Sequence, residues 1–182
     1  MTKSSKPQMM LGLQWCSLAC AISAIDHMIP RALIIAAITF LVDQFTKWYV
    51  VWHLDLINQR AIDVLPPVLN FRMGWNEGIN FGLLSGLSAR WFLIILALGI
   101  SIGILIWARQ FKGWLAATLV GLIVGGALGN AIDRILHGAV ADFLNMSCCG
   151  FYNPYSFNVA DIWVFAGAIG LIIFGERLPK RA

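Results

Sequence analysis

Four apolar runs, each long enough to cross a bilayer, constrain this 182-residue chain more than any other feature. They cover residues 32–52, 91–108, 114–134 and 159–177, against a requirement of roughly 17–25 mostly apolar residues for a spanning helix. Lipid offers the backbone no hydrogen-bond partner, so runs of this kind fold as helices. Charged residues make up 12% of the chain, about half the share of an ordinary soluble domain. The apolar excess therefore belongs to a membrane bundle rather than to one large soluble core. Trp91 and Trp107 bracket the second run as interface anchors do.

Lys and Arg set the direction of the spans. Arg109 and Lys112 lie in the short connection between runs two and three, whereas residues 135–158 contain neither residue type. Lys3, Lys6 and Arg31 precede run one; Arg177, Lys180 and Arg181 end or follow run four. The positive-inside rule then puts both termini in the cytoplasm and the loops 53–90 and 135–158 outside. Arg60, Arg72 and Arg90 run against this, but Asp55, Asp63 and Glu77 share their loop.

Residues 8–25 form a shorter apolar stretch with a basic start and small residues at its end, which reads either as a cleavable signal peptide or as an extension. The reading adopted is an interfacial or dispensable extension over residues 1–27, with Met28 as an alternative start and residues 28–182 as a single membrane domain. Four cysteines, Cys16, Cys20, Cys148 and Cys149, make neither a disulfide framework nor a metal-ligand spacing. Adjacent Cys148 and Cys149 read as ordinary loop residues, with a vicinal disulfide as the alternative.

The polar residues inside the runs are the candidates for chemistry, because charge in hydrocarbon is costly. Thr39, Asp43 and Lys47 fall on one helix face, and Asp43 can pair with Lys47 one turn on. A buried structural ion pair is the simpler account of that face. Gly121, Gly125 and Gly129 form a small-residue row on which another helix can approach closely. That row continues to Asp133, and the adjacent row runs Gly126, Asn130, Arg134. Close packing explains the glycines; the polar cluster at the outer end needs partners, and structural support is its simpler role.

Asp142, past a helix end at Gly138, and Asp161, at the mouth of run four, fall on the same outer side. Two carboxylates brought together cannot easily both ionise, so they hold one shared proton and can act as acid and base on a peptide bond. Ion binding or helix-end capping is the alternative for such a pair. No HExxH, no GxSxG, no phosphate-cradling glycine loop and no basic-aromatic stripe for nucleic acid is present.

DQFTK (43–47), NFRMGWNEGINFGLL (70–84), GGALGNAIDRILHGAVADF (125–143) and FNVAD (157–161) resemble, in order, four blocks of the lipoprotein signal peptidase (signal peptidase II) family of bacterial inner-membrane aspartyl peptidases. The resemblance covers residues 31 to 178. It implies a membrane protein, mainly α, with a four-transmembrane-helix bundle and a small extracytoplasmic β-cradle. It implies Asp142 and Asp161 as the catalytic pair, with Asn76, Gly78, Asn130, Arg134 and Asn158 lining or bracing the site and Asp43 with Lys47 supporting it. The segment 68–84 fits a two-stranded element around Asn76-Glu77-Gly78. The implied activity removes the signal peptide of diacylglyceryl-modified prolipoproteins on the N-terminal side of the lipidated cysteine, in a monomer, with membrane lipid as the only other partner. It implies no metal or organic cofactor and no nucleic acid. Two positions depart from the family pattern: Asn80, where a small residue is usual, and Trp163, where a small polar one is. A proton-linked transporter using the same acids and a non-catalytic lipoprotein-binding protein are the rival classes.

Overall fold

The computed structural model describes residues 27–78, 87–148, 150 and 152–180, with the backbone alone at 87 and 88. The expected extension (all but His27), Asn80 and Cys149 lie outside the described residues. Four helices are long and apolar enough to span a membrane: Met28–His53, Ala89–Ala108, Trp114–His137 and Val159–Arg177. Each matches an expected run, and the first three extend beyond it. Helix α1 (Met28–Lys47) passes into a π-helical segment, Trp48–His53. A short helix α2 (Leu56–Gln59) and strands β1 (Ala61–Leu65) and β2 (Leu69–Asn76) follow. Then come α3 (Leu87–Ala108), α4 (Trp114–His137), strand β3 (Val140–Met146) and α5 (Val159–Phe174), which ends in a 3-10 turn at Gly175–Arg177.

Helix α4 is the axis of the bundle. Its most apolar window is 61% buried, against 28% for the first span and 17% for the second and fourth. The small-residue row makes this possible. A Cβ on Gly121 would stand 2.7 Å from the Ala32 carbonyl oxygen, one on Gly125 would run into the Thr39 hydroxyl, and one on Gly129 would stand 2.6 Å from Asp43 Oδ2. The same helix meets α5 through Gly126, where a Cβ would come 2.5 Å from the Ala160 carbonyl oxygen. Two neighbouring helices thus lie close to α4 on adjacent faces, as small-xxx-small packing allows. The outward faces of α3 and α5 expose Ile95, Ile102, Phe165 and Ile172, as lipid-facing residues should be.

Outside the spans, β1, β2 and β3 form an antiparallel sheet in that order. The sequence places Asp142 in a loop; it lies in β3. The reason it escaped notice is burial on both sides: Val140 to Phe143 are all buried, so the strand shows no polar alternation. Strand β2 pairs with β1 and β3, and positions 79–84 of the expected two-stranded element lie outside the described residues. Val50, Val51, Leu56, Ala141 and Phe143 form the core beneath the sheet, with Phe71 edge-on to Phe143 at 5.9 Å. Trp48, Tyr49, Trp52 and His53 gather where α1 leaves the bilayer, an aromatic belt of the kind found at membrane interfaces. Cys148 is disulfide-bonded, which corrects its reading as an ordinary loop residue.

Candidate active site

Helix α4 ends at Gly138, whose positive φ of 85° reverses the chain and whose N–H bonds the Arg134 carbonyl at 3.1 Å. The chain then enters β3 at once, and Asp142 is its third residue. On the far edge of β3, Leu144 and Phe157 exchange backbone hydrogen bonds of 2.8 and 2.9 Å. This exchange sets Asn158 beside Asp142 just before α5 begins. On the near edge, Gly74 of β2 faces Asp142, immediately after a bulge between Phe71 and Gly74. A bulge bends a strand and re-aims its side chains; here Asn76, beyond the bulge, donates to Asp142 Oδ2 at 3.0 Å.

Asn158 is fully buried. Its side chain donates to Asp142 Oδ1 at 2.6 Å and to Asn130 Oδ1 at 3.1 Å. It also caps α5: Asn158 Oδ1 accepts the Asp161 N–H at 3.0 Å, and Asp161 Oδ2 accepts the Asn158 N–H at 3.2 Å. That reciprocal capping box fixes Asp161 in the first turn of the helix. Asn130 Nδ2 donates to Asp161 Oδ1 at 2.8 Å. Two carboxylates from distant parts of the chain are therefore joined through one asparagine and steadied by two more. The capping alternative weighed for Asp161 is real, and it coexists with this convergence.

Behind Asn130 lies a buried charge cluster. Lys47 Nζ is 2.8 Å from Asp43 Oδ2, the pairing that the one-turn spacing predicts, and equally 2.8 Å from Asp133 Oδ2. It also donates to Asn130 Oδ1 at 3.3 Å. An amide oxygen held by Lys47 and Asn158 leaves the Asn130 NH2 facing Asp161. Asp43 Oδ1 accepts the Ala160 N–H at 2.8 Å, tying α1 to the start of α5. Asp133 Oδ2 accepts the Ala141 N–H at 3.3 Å, tying α4 to β3. The Arg134 guanidinium lies within electrostatic reach of Asp142, Asp133 and Asp161, and it donates to the Asn130 carbonyl at 3.1 Å. Gly78, at φ +108°, turns its N–H onto Asn76 Oδ1 at 3.0 Å.

All nine residues singled out from the sequence thus fall in one connected region. Asp133, read from the sequence as part of a structural cluster, has Lys47, the Ala141 N–H and Gln44 as its partners, and of these Gln44 was missed. Gln44 Nε2 reaches Asp133 Oδ1 at 3.0 Å and Asp43 Oδ2 at 3.2 Å. Its position inside DQFTK is the signal that was available; its partners on α4, 85 and 89 residues away, were not.

Asp142 lies in the strand outside the spans and is 5% exposed. Burial, and then the charge of Asp161, push its carboxyl up from the usual 3.8 to about 6, against the hydrogen bonds from Asn76 and Asn158 and the charge of Lys47. Two cavities flank the pair. One, of about 380 Å³, borders Asp142 and is lined by β2 residues and by Pro154, Tyr155 and Ser156. The other, of about 500 Å³, borders Asp161 and is lined by Phe157, Ile162, Phe165 and Ala166. Among the described residues no group of three His, Cys, Asp or Glu side chains is arranged to hold a metal ion.

A model of the family described as signal peptidase (SPase) II matches residues 35–175. The chain belongs to the signal peptidase II family. Lipoprotein signal peptidases of Methylorubrum extorquens and Methylobacterium radiotolerans are 40% and 41% identical to it, over 79% and 78% of this chain and 84% and 82% of theirs. The solved structure of a bacterial membrane enzyme, 30% identical, superposes with a TM-score of 0.69 over 81% of this chain and 94% of that one. Signal peptidase II membership agrees with the four helices long and apolar enough to span a membrane and with the sheet outside them.

Proposed function

We infer that this multi-pass membrane protein is an aspartic-type lipoprotein signal peptidase, which removes signal peptides from prolipoproteins, with Asp142 and Asp161 as its catalytic pair. Family membership carries the activity. The observation that carries the residue assignment is Asn158, which bonds Asp142 through its side chain and Asp161 through its main chain.

The pair is asymmetric, and the asymmetry supports a division of roles. Asp142, with its affinity for a proton raised, holds the proton that the pair shares. Asp161, fixed in the first turn of α5 by the capping box, is its partner acid. Asp161 takes a proton from water as the water oxygen bonds to the scissile carbonyl carbon. Asp142 gives its proton to the carbonyl oxygen, forming a neutral tetrahedral diol. On collapse, one diol proton returns to Asp142 and the proton on Asp161 passes to the leaving nitrogen as the C–N bond breaks. Atoms balance as one water added across one peptide bond.

The substrate is a diacylglyceryl-modified precursor cut on the N-terminal side of its lipidated cysteine. The apolar cavity beside Asp161, open along the lipid face of α5, suits acyl chains, and the polar one beside Asp142 suits peptide. The active site faces the periplasm and both termini face the cytoplasm, a reading supported by the paucity of Lys and Arg in residues 135–158. Residues 28–182 act as one domain and as a monomer. The transporter alternative lacks a path: among the described residues, the buried ionisable groups stop at Asp43, Lys47 and Asp133.

Incubating the purified protein with a diacylated precursor tests the assignment. Asp142→Asn and Asp161→Asn are each expected to lower cleavage by at least about 10²-fold while keeping the fold. Near-normal cleavage by both would refute the pair.

A further inference from the structure

Away from the catalytic pair, the bundle has an apolar groove. It has a volume of about 360 Å³ and lies where α1 and α3 each pack on α4 and leave a gap between them. Its lining runs from Leu33 to Phe40 on α1 and from Val124 to Ile135 on α4, with Leu98 from α3, and every lining residue is apolar. Buried Ala36 and Ala131 are too small to close it. At 3.6 residues per turn, Gly126 and Asn130, which serve α5 and Asp161, lie nearly opposite Val124 and Leu128 on α4. The groove is therefore separate from both cavities that flank the acids.

Its length is that of one leaflet. Val124 and Ile135 are eleven residues apart, about 16 Å of helix rise. Half of a hydrocarbon core is about 15 Å. Val124 lies near the middle of α4 and Ile135 in its last turn, so the groove runs from mid-bilayer to the sheet end of the bundle. A whole helix, about 10 Å across, would need roughly three times the volume over that length. An acyl chain is the thinner occupant.

At the sheet end of the groove sits a cation. Half-buried Arg90, in the first turn of α3, donates through Nη2 to the Ile135 carbonyl at 2.7 Å. Its Nη1 lies 3.8 Å from where a Cβ on Gly138 would stand, just past the end of α4, and its guanidinium lies 5.5 Å from the centre of the Trp91 ring. Nε is enclosed; Nη1 is not, and it has no hydrogen-bond partner among the described residues. The ion pairs among the described residues all belong to Lys47, so neither Glu77 nor any other described carboxylate pairs with Arg90. A guanidinium with open N–H groups and no counter-ion fits a phosphate, which it binds by charge-assisted hydrogen bonds. Exposed Trp91 beside it is the residue type found at headgroup depth.

We propose that the groove between α1 and α3, together with Arg90, is a binding site for one glycerophospholipid of the leaflet on the sheet side, with an acyl chain in the groove and the phosphodiester on the guanidinium. The lipid fills the gap that α1 and α3 leave over α4, where a further helix contact would otherwise stand. The site goes beyond the peptidase reading and does not depend on it.

The test uses the full-length protein, delipidated in detergent, with three probes: dioleoylphosphatidylglycerol, dioleoylglycerol and glycerol 3-phosphate. Native mass spectrometry reads binding, and thermal unfolding reads the state of the fold. Wild type is expected to bind one phosphatidylglycerol at least about tenfold more tightly than dioleoylglycerol, the share of one charge-assisted contact, and glycerol 3-phosphate more weakly than either. Arg90→Gln should lower phosphatidylglycerol affinity to the dioleoylglycerol level, and Arg90→Lys should keep most of it. Exposed Ala37 also lines the groove, so Ala37→Phe should weaken both lipids by filling the slot while Arg90 stays in place.

Equal affinity of wild type for the two lipids overturns the proposal, as does unchanged phosphatidylglycerol binding in Arg90→Gln or in Ala37→Phe. Glycerol 3-phosphate bound as tightly as phosphatidylglycerol would leave the groove without a role and overturns it too. A lower unfolding temperature of lipid-free Arg90→Gln, with phosphatidylglycerol affinity unchanged, makes Arg90 a strut for the end of α4 instead. A wild-type dimer that Ala37→Phe dissociates assigns the groove to a second copy of the chain and likewise overturns the lipid site.

Discussion

Asn158 Nδ2 stands 2.6 Å from Asp142 Oδ1, and the backbone N–H of the same residue stands 3.2 Å from Asp161 Oδ2. One residue therefore sets the mutual position of both acids while it starts the helix that carries one of them. Its two duties separate on mutation. Asn158→Ala loses a helix cap, worth about 1 kcal/mol. It also releases both carboxylates, for which a drop in cleavage of about 10²-fold is expected, since small misplacements at a reacting centre are that costly. Thermal unfolding and kcat measured on the same preparation check the split; a loss of activity no larger than the loss of stability explains would contradict it.

The proton held by Asp142 sets the pH profile. Cleavage is expected to fall as pH rises through about 6, where that carboxyl ionises. Asn76 donates to Asp142 and so favours its charged form. Asn76→Ala should therefore move the alkaline limb to higher pH, even as the rate drops. A limb that stays put or moves down in that variant would contradict the role of Asn76.

The same group makes stability pH-dependent. The folded protein takes up the Asp142 proton at about 6 and the unfolded chain takes it up at 3.8. Between those values the folded state binds more protons, so the Asp142 contribution is greatest below about pH 4 and is lost as pH rises through 6, by about 3 kcal/mol in all. Asp142→Asn should thus gain in melting temperature relative to wild type at neutral pH and not at acid pH.

Lys47 serves two buried carboxylates, Asp43 and Asp133, each at 2.8 Å. Lys47→Met would leave both without their cation, and breaking a buried pair from one side costs about 3–5 kcal/mol. Adding Asp43→Asn should recover part of that loss. A double variant no more stable than Lys47→Met alone would show that the charge of Asp43 is not what the lysine offsets.

Close helix approach gives a sharper contrast. Gly126→Ala puts a methyl 2.5 Å from the Ala160 carbonyl oxygen, one residue before Asp161, so α5 must move and cleavage should fall. Gly103 on α3 has nothing within 4 Å of a new Cβ. Gly103→Ala should be neutral or gain up to about 1 kcal/mol from helix propensity. Parallel precursor-cleavage and melting assays on the two variants compare them directly.

Much of this architecture is written in the chain itself. Spans are legible because lipid demands long apolar helices, whatever their neighbours, and the glycines at 121, 125 and 129 announce a close helix contact by their spacing alone. The polar residues stood out because polar groups in such runs are costly and need partners. Which partners they take is another matter. Lys47 chooses Asp133 as well as Asp43, and Gln44 joins them, only because α1 and α4 approach over glycine. Asp142 belongs to a strand that its own neighbours conceal, since it is buried on both faces. Sequence determined the helices and the inventory of acids and amides, because those follow from the local cost of polarity in lipid. Tertiary structure alone decided that Asn158 would hold Asp142 and Asp161 together, because that depends on Phe157 pairing with Leu144 and no local pattern encodes a pairing across a loop.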